Sequence, residues 1–530
     1  MTDKLGAGTA QFRRITAPAA ISVARAEAAS ARPELSRLLR CGVWDDEFLT
    51  AAGLPVYDSQ IVSVGGGLGS FALVDFLRIA GLTTSAITVL SDLSAPYASF
   101  VSLARASQLG LEDRLRSDSS SRIDNIWGCP GYAVSEALAE RTPAPLWRVL
   151  TEPLLSEYFT PRVRTVLTGI EREAARIGWG EMLVRSRALV VRRRSRGGYF
   201  VLTQPLDDAC AGPSVYRCRH VHLALGHPRP RLAPDLLAFR NLHPGASQAV
   251  QAYEPHEDVY RQLVSSPGTI VLRGSGITAS RVLERLIHDR DALGARTEIL
   301  HLFRHYVRGA TGPPWFRRPG GNGFAYQPFS FPKAAAGGQL RQRTLALSGD
   351  ERADLIARMG GTTTARRAGW QRQLRRGRHE GWYLAESAVV RDLRLTPSGR
   401  LRMTLARGDG SECQVDADFL LDATGFEDDL RHHALLSDLL DCGGASTSVL
   451  GGLDVEPSFE VRGTRSGAGR MYASGIASLG GALAPVDSFW GLTHAALEIC
   501  DDLSDQGMCA VPGAFRSMGQ WWRWVRNRQP

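Results

Sequence analysis

The chain has almost no lysine: of its 63 basic residues only Lys4 and Lys333 are lysines, and the rest are arginine. Its eight cysteines (Cys41, Cys129, Cys210, Cys218, Cys413, Cys442, Cys500 and Cys509) form no C-x-x-C pair and no regular framework. That argues against structural zinc and stapled disulfides, and against dithiol–disulfide reduction, which needs two closely spaced thiols beside the cofactor. No apolar run approaches the roughly 18 residues that cross a bilayer, and no apolar core with a cleavage site opens the chain. A cytoplasmic location without membrane contact is the expectation. The tail Trp521–Arg526 interleaves basic residues with aromatics, and a helix docking its tryptophans on the body accounts for that better than nucleic-acid binding. His432-His433 and His256-Glu257-Asp258 lack further ligands at metal spacing, so no metal is expected.

What remains is a long, arginine-rich chain with repeated α/β signals. A length of 530 residues suggests about three domains as a soft prior. The net charge of +9 suits a protein that holds anionic small molecules. The stretch Phe12 to Arg40 is rich in Ala, Arg and Ser, but Glu27 and Glu34 interrupt any transit-peptide pattern. Residues 1–56 therefore read as an N-terminal extension.

Gln60–Val64 is an apolar β-like run that passes directly into Gly65-Gly66-Gly67-Leu68-Gly69-Ser70 and then into the helical pattern Phe71, Leu73, Val74, Leu77, Ile79. Strand, glycine turn and helix is the order of a dinucleotide-binding unit. The turn lets the backbone approach a pyrophosphate, and the helix N-terminus supplies free N–H donors. Ser70 stands where a third glycine is commonest. A second strand, Ile87–Leu90, ends in Ser91-Asp92, where a ribose-binding carboxylate is expected, and the ribose ligand is left between Ser91 and Asp92.

The pattern repeats 209 residues later. Thr269–Leu272 leads into Gly274-Ser275-Gly276-Ile277-Thr278-Ala279 and a helix from Ser280 to His288, and the next strand, Thr297–Phe303, ends at Arg304. A guanidinium there pairs with a 2′-phosphate, which favours NADPH over NADH. The plainer alternative is a solvated loop arginine.

The segment Asp418 to Phe426, with Ala423-Thr424-Gly425-Phe426 at its end, resembles the D-x-x-x-L/F-A-T-G-Y signature of class B flavin-dependent monooxygenases. The resemblance spans Ile61 to Leu503 and is closest in character to the N-hydroxylating branch. No F-x-G-x-x-x-H segment precedes the second glycine loop, where Val250–His256 stands instead, and Asp422 replaces an apolar residue. The resemblance implies an α/β fold with two Rossmann-like three-layer dinucleotide-binding domains, small β meanders, and FAD and NADPH as cofactors. The implied units are a first part of the FAD domain at 57–243, an NADPH domain at 244–426 with an aromatic lid at 306–345, and a second FAD part with the tail at 427–530. The implied reaction is oxygenation of a small nucleophile, an amine or amino acid, by O₂ through a flavin C4a-hydroperoxide. Two other readings stay open: a flavoprotein reductase or dehydrogenase without oxygen transfer, and a non-catalytic flavin-binding redox partner. A homo-oligomer is also left open.

The expected cofactor contacts are Gly65, Gly67, Gly69, Ser70 and Asp92 for FAD; Gly274, Gly276, Ala279 and Arg304 for NADPH; and Thr424, Gly425, Gly475 and Ser488 in the linker and return segments. Asp487 or Ser488 is expected to cap a helix aimed at the flavin. Lys333, a lysine kept inside the aromatic insertion, is read as a compact ammonium for substrate or nicotinamide phosphate, with chance survival as its alternative. Trp127 is read either as part of the flavin's face or as core packing. Asp487, Lys333 and Trp127 are the catalytic candidates.

Overall fold

The computed structural model describes residues 39–115, 122–155, 159–208, 212–303, 339–359, 368–483 and 486–530. Arg304, Lys333 and residues 306–338 of the expected lid lie outside the described residues. The end of that insertion contributes to a helix, Gln339–Ala346.

Fourteen strands occur among the described residues: β1 (Val43–Trp44), β2 (Val56–Val64), β3 (Ile87–Ser91), β4 (Leu183–Arg194), β5 (Tyr199–Pro205), β6 (Ser214–Leu223), β7 (Ala249–Gln251), β8 (Gly268–Arg273), β9 (Thr297–Phe303), β10 (Tyr383–Leu395), β11 (Leu401–Arg407), β12 (Glu412–Ala417), β13 (Phe419–Asp422) and β14 (Met471–Ala473). They form two seven-stranded sheets. The first runs β1-β4-β3-β2-β6-β14, with β5 pairing antiparallel to β4 and β6; the second runs β12-β11-β10-β9-β8-β13-β7. Six strands of the first sheet (β1, β4, β3, β2, β6, β14) and five of the second (β10, β9, β8, β13, β7) are parallel, and each sheet carries an antiparallel meander. The α/β class and the two Rossmann-like units read from the sequence are therefore present.

The chain leaves the first sheet after β6 and returns to it at β14. Helix Leu68–Ile79 shows why the return is needed. Ser70 to Leu77 are all buried, because one face lies on the sheet and the other meets helix Phe489–Asp505, whose Ala495, Ala496, Ile499 and Leu503 share a core cluster with Phe71, Val74 and Leu77. Burying each of the larger side chains contributes roughly 1.5–3 kcal/mol. Helix Pro234–Leu242 packs Leu236 and Phe239 with the second sheet's residues, so that packing begins before residue 244. At the other end, β1 and helix Asp46–Ala51, inside the segment expected to be an extension, belong to the first sheet's side of the molecule.

Two features of the first core bear on stability. Asp75, on helix Leu68–Ile79, is buried beside Glu173, and Arg176 approaches both, at 2.8 Å from Glu173 and 3.6 Å from Asp75. Burial first, and then the Glu173 carboxylate, push the Asp75 pKa up. The C-terminal helix Ala514–Val525 docks as expected from its tryptophans: Trp524 is buried and donates from Nε1 to Asp124 O at 3.2 Å. Among the described residues, no helix is long and apolar enough to cross a membrane.

Candidate functional site

The two glycine loops face each other across a cleft of about 990 Å³. In each loop the first glycine is required by the fold. Gly65 has φ +96, and a Cβ there would lie 2.2 Å from Ala224 O; Gly274 has φ +132, and a Cβ there would lie 2.4 Å from Ala423 O. Ala224 and Ala423 begin the two crossover segments, so each loop is pressed against the chain passing between the lobes. The second glycines behave oppositely: a Cβ on Gly67 or Gly276 would meet nothing within 4 Å.

Gly67 and Gly276 are also the N-cap residues of helices Leu68–Ile79 and Ile277–Leu293, and neither helix start has a side-chain cap. Both helix starts line the cleft with no side chain capping their first N–H groups, which is the arrangement an anionic pyrophosphate needs. The residues present therefore fit two dinucleotides. By contrast, helix Phe489–Asp505 is capped: Ser488 Oγ accepts from Gly491 N at 3.0 Å. Of the two expected caps, the structure selects Ser488 over Asp487.

The cleft wall includes Gly67, Gly69, Gly274, Gly276, Thr424, Gly425, Gly475, Asp487 and Ser488. Gly65, Ser70 and Ala279 lie behind it, the last two fully buried. Asp92 and Trp127 are not part of the wall. Ser91 is buried, and its Oγ accepts from Gly66 N (3.0 Å) and Leu93 N (2.9 Å), whereas Asp92 is exposed. Trp127 donates from Nε1 to Ser517 Oγ at 2.8 Å and packs at 6.5 Å against Trp524, so its partners are on the C-terminal helix.

Several residues of the site escape a reading by motif. Asp422 does not tolerate its burial alone. It faces Arg273 across the β8–β13 register at 2.7 Å, Arg273 also binds Asp235 at 2.8 Å, and Asp422 Oδ1 accepts from Thr424 N at 3.0 Å. The departure from an apolar residue is thus the buried member of a carboxylate–guanidinium–carboxylate triad whose Arg273 and Asp235 line the cleft. The two crossovers bind each other: Arg231 donates to Thr424 O (2.7 Å) and from its backbone N to Gly425 O (3.0 Å), and Gln251 Nε2 donates to Gly425 O (3.1 Å). Over them lies a ring stack in which Phe426 meets His227 at 4.7 Å and Tyr253 at 4.2 Å. Burial lowers the His227 pKa, and the nearby Asp487 carboxylate opposes that shift. Arg281, on the second loop's helix, reaches Asp113 on the first lobe's side at 2.9 Å.

Two Rossmann-like sheets, joined by paired crossovers and sharing one cleft between uncapped glycine loops, define the fold of the two-dinucleotide-binding-domain flavoproteins. Within that fold the chain is similar in structure to ornithine hydroxylase from Pseudomonas aeruginosa (15% identity over 85% of this chain and 100% of that one, TM-score 0.57). It is similar also to the ornithine N-hydroxylase of Kutzneria sp. 744, solved with reduced FAD, NADP⁺ and L-ornithine (14%, 85% and 100%, TM-score 0.60). A third is the FAD-bound cadaverine monooxygenase of desferrioxamine biosynthesis from Erwinia amylovora (12%, 87% and 98%, TM-score 0.60). No protein-family model matches the chain, and no curated protein matches it in sequence.

Proposed function

We propose that this chain is an FAD- and NADPH-dependent monooxygenase that oxygenates a small nucleophilic amine or amino acid. The observation that carries the reading is the pair of uncapped helix N-termini facing one cleft, in a fold shared with an ornithine N-hydroxylase and a cadaverine monooxygenase. FAD, when bound, supplies the oxygen-activating chemistry; the chain's part is to hold, orient and shield.

On this reading the backbone N–H groups after Gly67 receive the FAD pyrophosphate, and those after Gly276 receive that of NADPH. Asp92, exposed at the end of β3, is the ribose ligand, because both N–H bonds accepted by Ser91 turn its hydroxyl toward the loop. Arg304 pairs with the 2′-phosphate and Lys333 with an anionic group of substrate or nicotinamide. The Ser488-capped helix ends at the cleft, where its positive dipole favours the anionic reduced flavin. The His227–Phe426–Tyr253 stack covers the crossovers and excludes water there.

A coupled assay tests this. NADPH oxidation by the FAD-loaded chain should be stimulated by one class among amines, amino acids and thioethers, with an oxygenated product formed in proportion. NADPH oxidation that yields only peroxide with every compound would favour the reductase reading.

A further inference from the structure

Ser70, where the glycine pattern is broken, belongs to a buried chain of polar groups beneath the first loop. Ser70 Oγ donates to Gly65 O. It lies 2.7 Å from Ser63 Oγ, which lies 2.8 Å from His222 Nδ1, and His222 Nε2 lies 2.9 Å from Ser474 Oγ. All four side chains are at most 3% exposed.

Counting protons orders the chain completely. Burial pushes the His222 pKa down to about 3, so the ring is neutral at ordinary pH, with one donor and one acceptor nitrogen. Because Ser70 gives its only proton to Gly65 O, it must accept from Ser63. Ser63, having given its proton, must accept from Nδ1–H of His222. Nε2 is then the acceptor for Ser474 O–H. The tautomer is set by the glycine carbonyl three links away.

The other end of the same peptide is held as well, since Gly66 N donates to Ser91 Oγ at 3.0 Å. The Gly65–Gly66 peptide, in a loop whose glycines allow rotation, is thereby clamped at both its oxygen and its nitrogen. In the second lobe a single histidine holds the corresponding carbonyl oxygen. His301 Nε2 donates to Gly274 O at 2.6 Å, while Nδ1 accepts from Tyr383 OH at 3.0 Å.

We propose that His222 is a positioning residue for the flavin nucleotide: through Ser63 and Ser70 it sets the Gly65–Gly66 peptide, and through Ser474 it couples that peptide to the Ser474-Gly475 wall of the cleft. The proposal rests on the FAD assignment. Ser70 is then a working replacement for the third glycine, not merely a small residue that fits.

The test uses the full chain stripped of flavin, with FAD affinity read by quenching of flavin fluorescence and NADP⁺ affinity by a separate titration. Ser70→Ala removes one buried hydroxyl at nearly constant volume, and His222→Leu removes the ring's two hydrogen bonds. Each should raise the FAD Kd about tenfold, as expected for one net hydrogen bond, with the NADP⁺ Kd nearly unchanged. The double variant should be no worse than the weaker-binding single variant, as members of one chain should be. His301→Leu should show the reverse selectivity. Loss of thermal stability with an unchanged FAD Kd in Ser70→Ala overturns the relay, as does equal weakening of both nucleotides by His222→Leu. If the native chain binds no FAD, the cofactor assignment itself fails, and the relay with it.

Discussion

Gly65 and Gly67 stand two residues apart, yet the structure assigns them opposite duties, and one pair of substitutions separates them. Gly65→Ala puts a Cβ 2.2 Å from Ala224 O, a backbone atom at the start of the first crossover, at a φ of +96. The left-handed backbone alone costs roughly 1–2 kcal/mol, and the crossover must also shift, so this variant should lose fold stability. Gly67→Val instead adds its side chain at φ −83 and ψ −168, extended values that valine adopts readily, with no atom within 4 Å of the Cβ. Its fold cost is that of a poor N-cap, about 1 kcal/mol. The valine does occupy the approach to the helix N–H groups. Losing two charge-assisted bonds to the pyrophosphate, at ~1.5–3 kcal/mol each, weakens FAD by ~10²–10⁴-fold. Thermal melts of the flavin-free proteins and fluorescence titration with FAD give both quantities. The account expects Gly65→Ala to melt early, and Gly67→Val to melt within a few degrees of native but purify colourless. A yellow Gly67→Val protein with native affinity would refute the loop assignment.

Other outcomes follow from the same geometry. Asp422→Asn should lower stability by ~2 kcal/mol in urea unfolding, less than the ~3–5 kcal/mol for stripping a buried ion of all partners, because Asp235 still pairs with Arg273; an unchanged midpoint would contradict the triad. Asp75→Asn should stabilise the protein. Because the folded pKa of Asp75 is raised, the native chain loses stability as pH rises from the unfolded value of 3.8 toward the folded one. The variant's advantage should therefore grow as pH rises above 3.8, by at most ~1.4 kcal/mol per unit, and an advantage that stays flat above that value would show that Asp75 is ionised in the fold. Arg304→Ala should raise KM for NADPH more than for NADH by a ratio worth ~1–3 kcal/mol, and equal changes would remove Arg304 from the 2′-phosphate.

The parts legible in the sequence are those written in local chemistry. The strand–glycine–helix order at Gly65 and Gly274, a capped helix start at Asp487 or Ser488, and the docking of the tryptophan-bearing tail each depend on residues close together in the chain. The parts missed join residues far apart. Asp422 looked like a defect because its partner Arg273 lies 149 positions away, and Ser70 looked like a mere tolerance because His222 reaches it through Ser63. Trp127 was drawn toward the flavin by its place after β3, but the helix that takes it up begins at Ala514. The short strands β1 and β7, of two and three residues, are too brief to show a period. An arginine and an aspartate closing two apolar β-like runs, Arg273 after Thr269–Leu272 and Asp422 after Phe419–Leu421, are the signal that could have exposed the triad beforehand.

In the proposed reaction electrons pass from one nucleotide to the other across the cleft, and oxygen is then transferred to an amine. The most direct measurement is the incorporation of isotopically labelled dioxygen by the FAD-loaded chain, with NADPH and the amine that best stimulates its oxidation. The account predicts one labelled oxygen atom on the nitrogen of the product for each NADPH consumed. Label recovered only in peroxide, or product oxygen drawn from water, would contradict it.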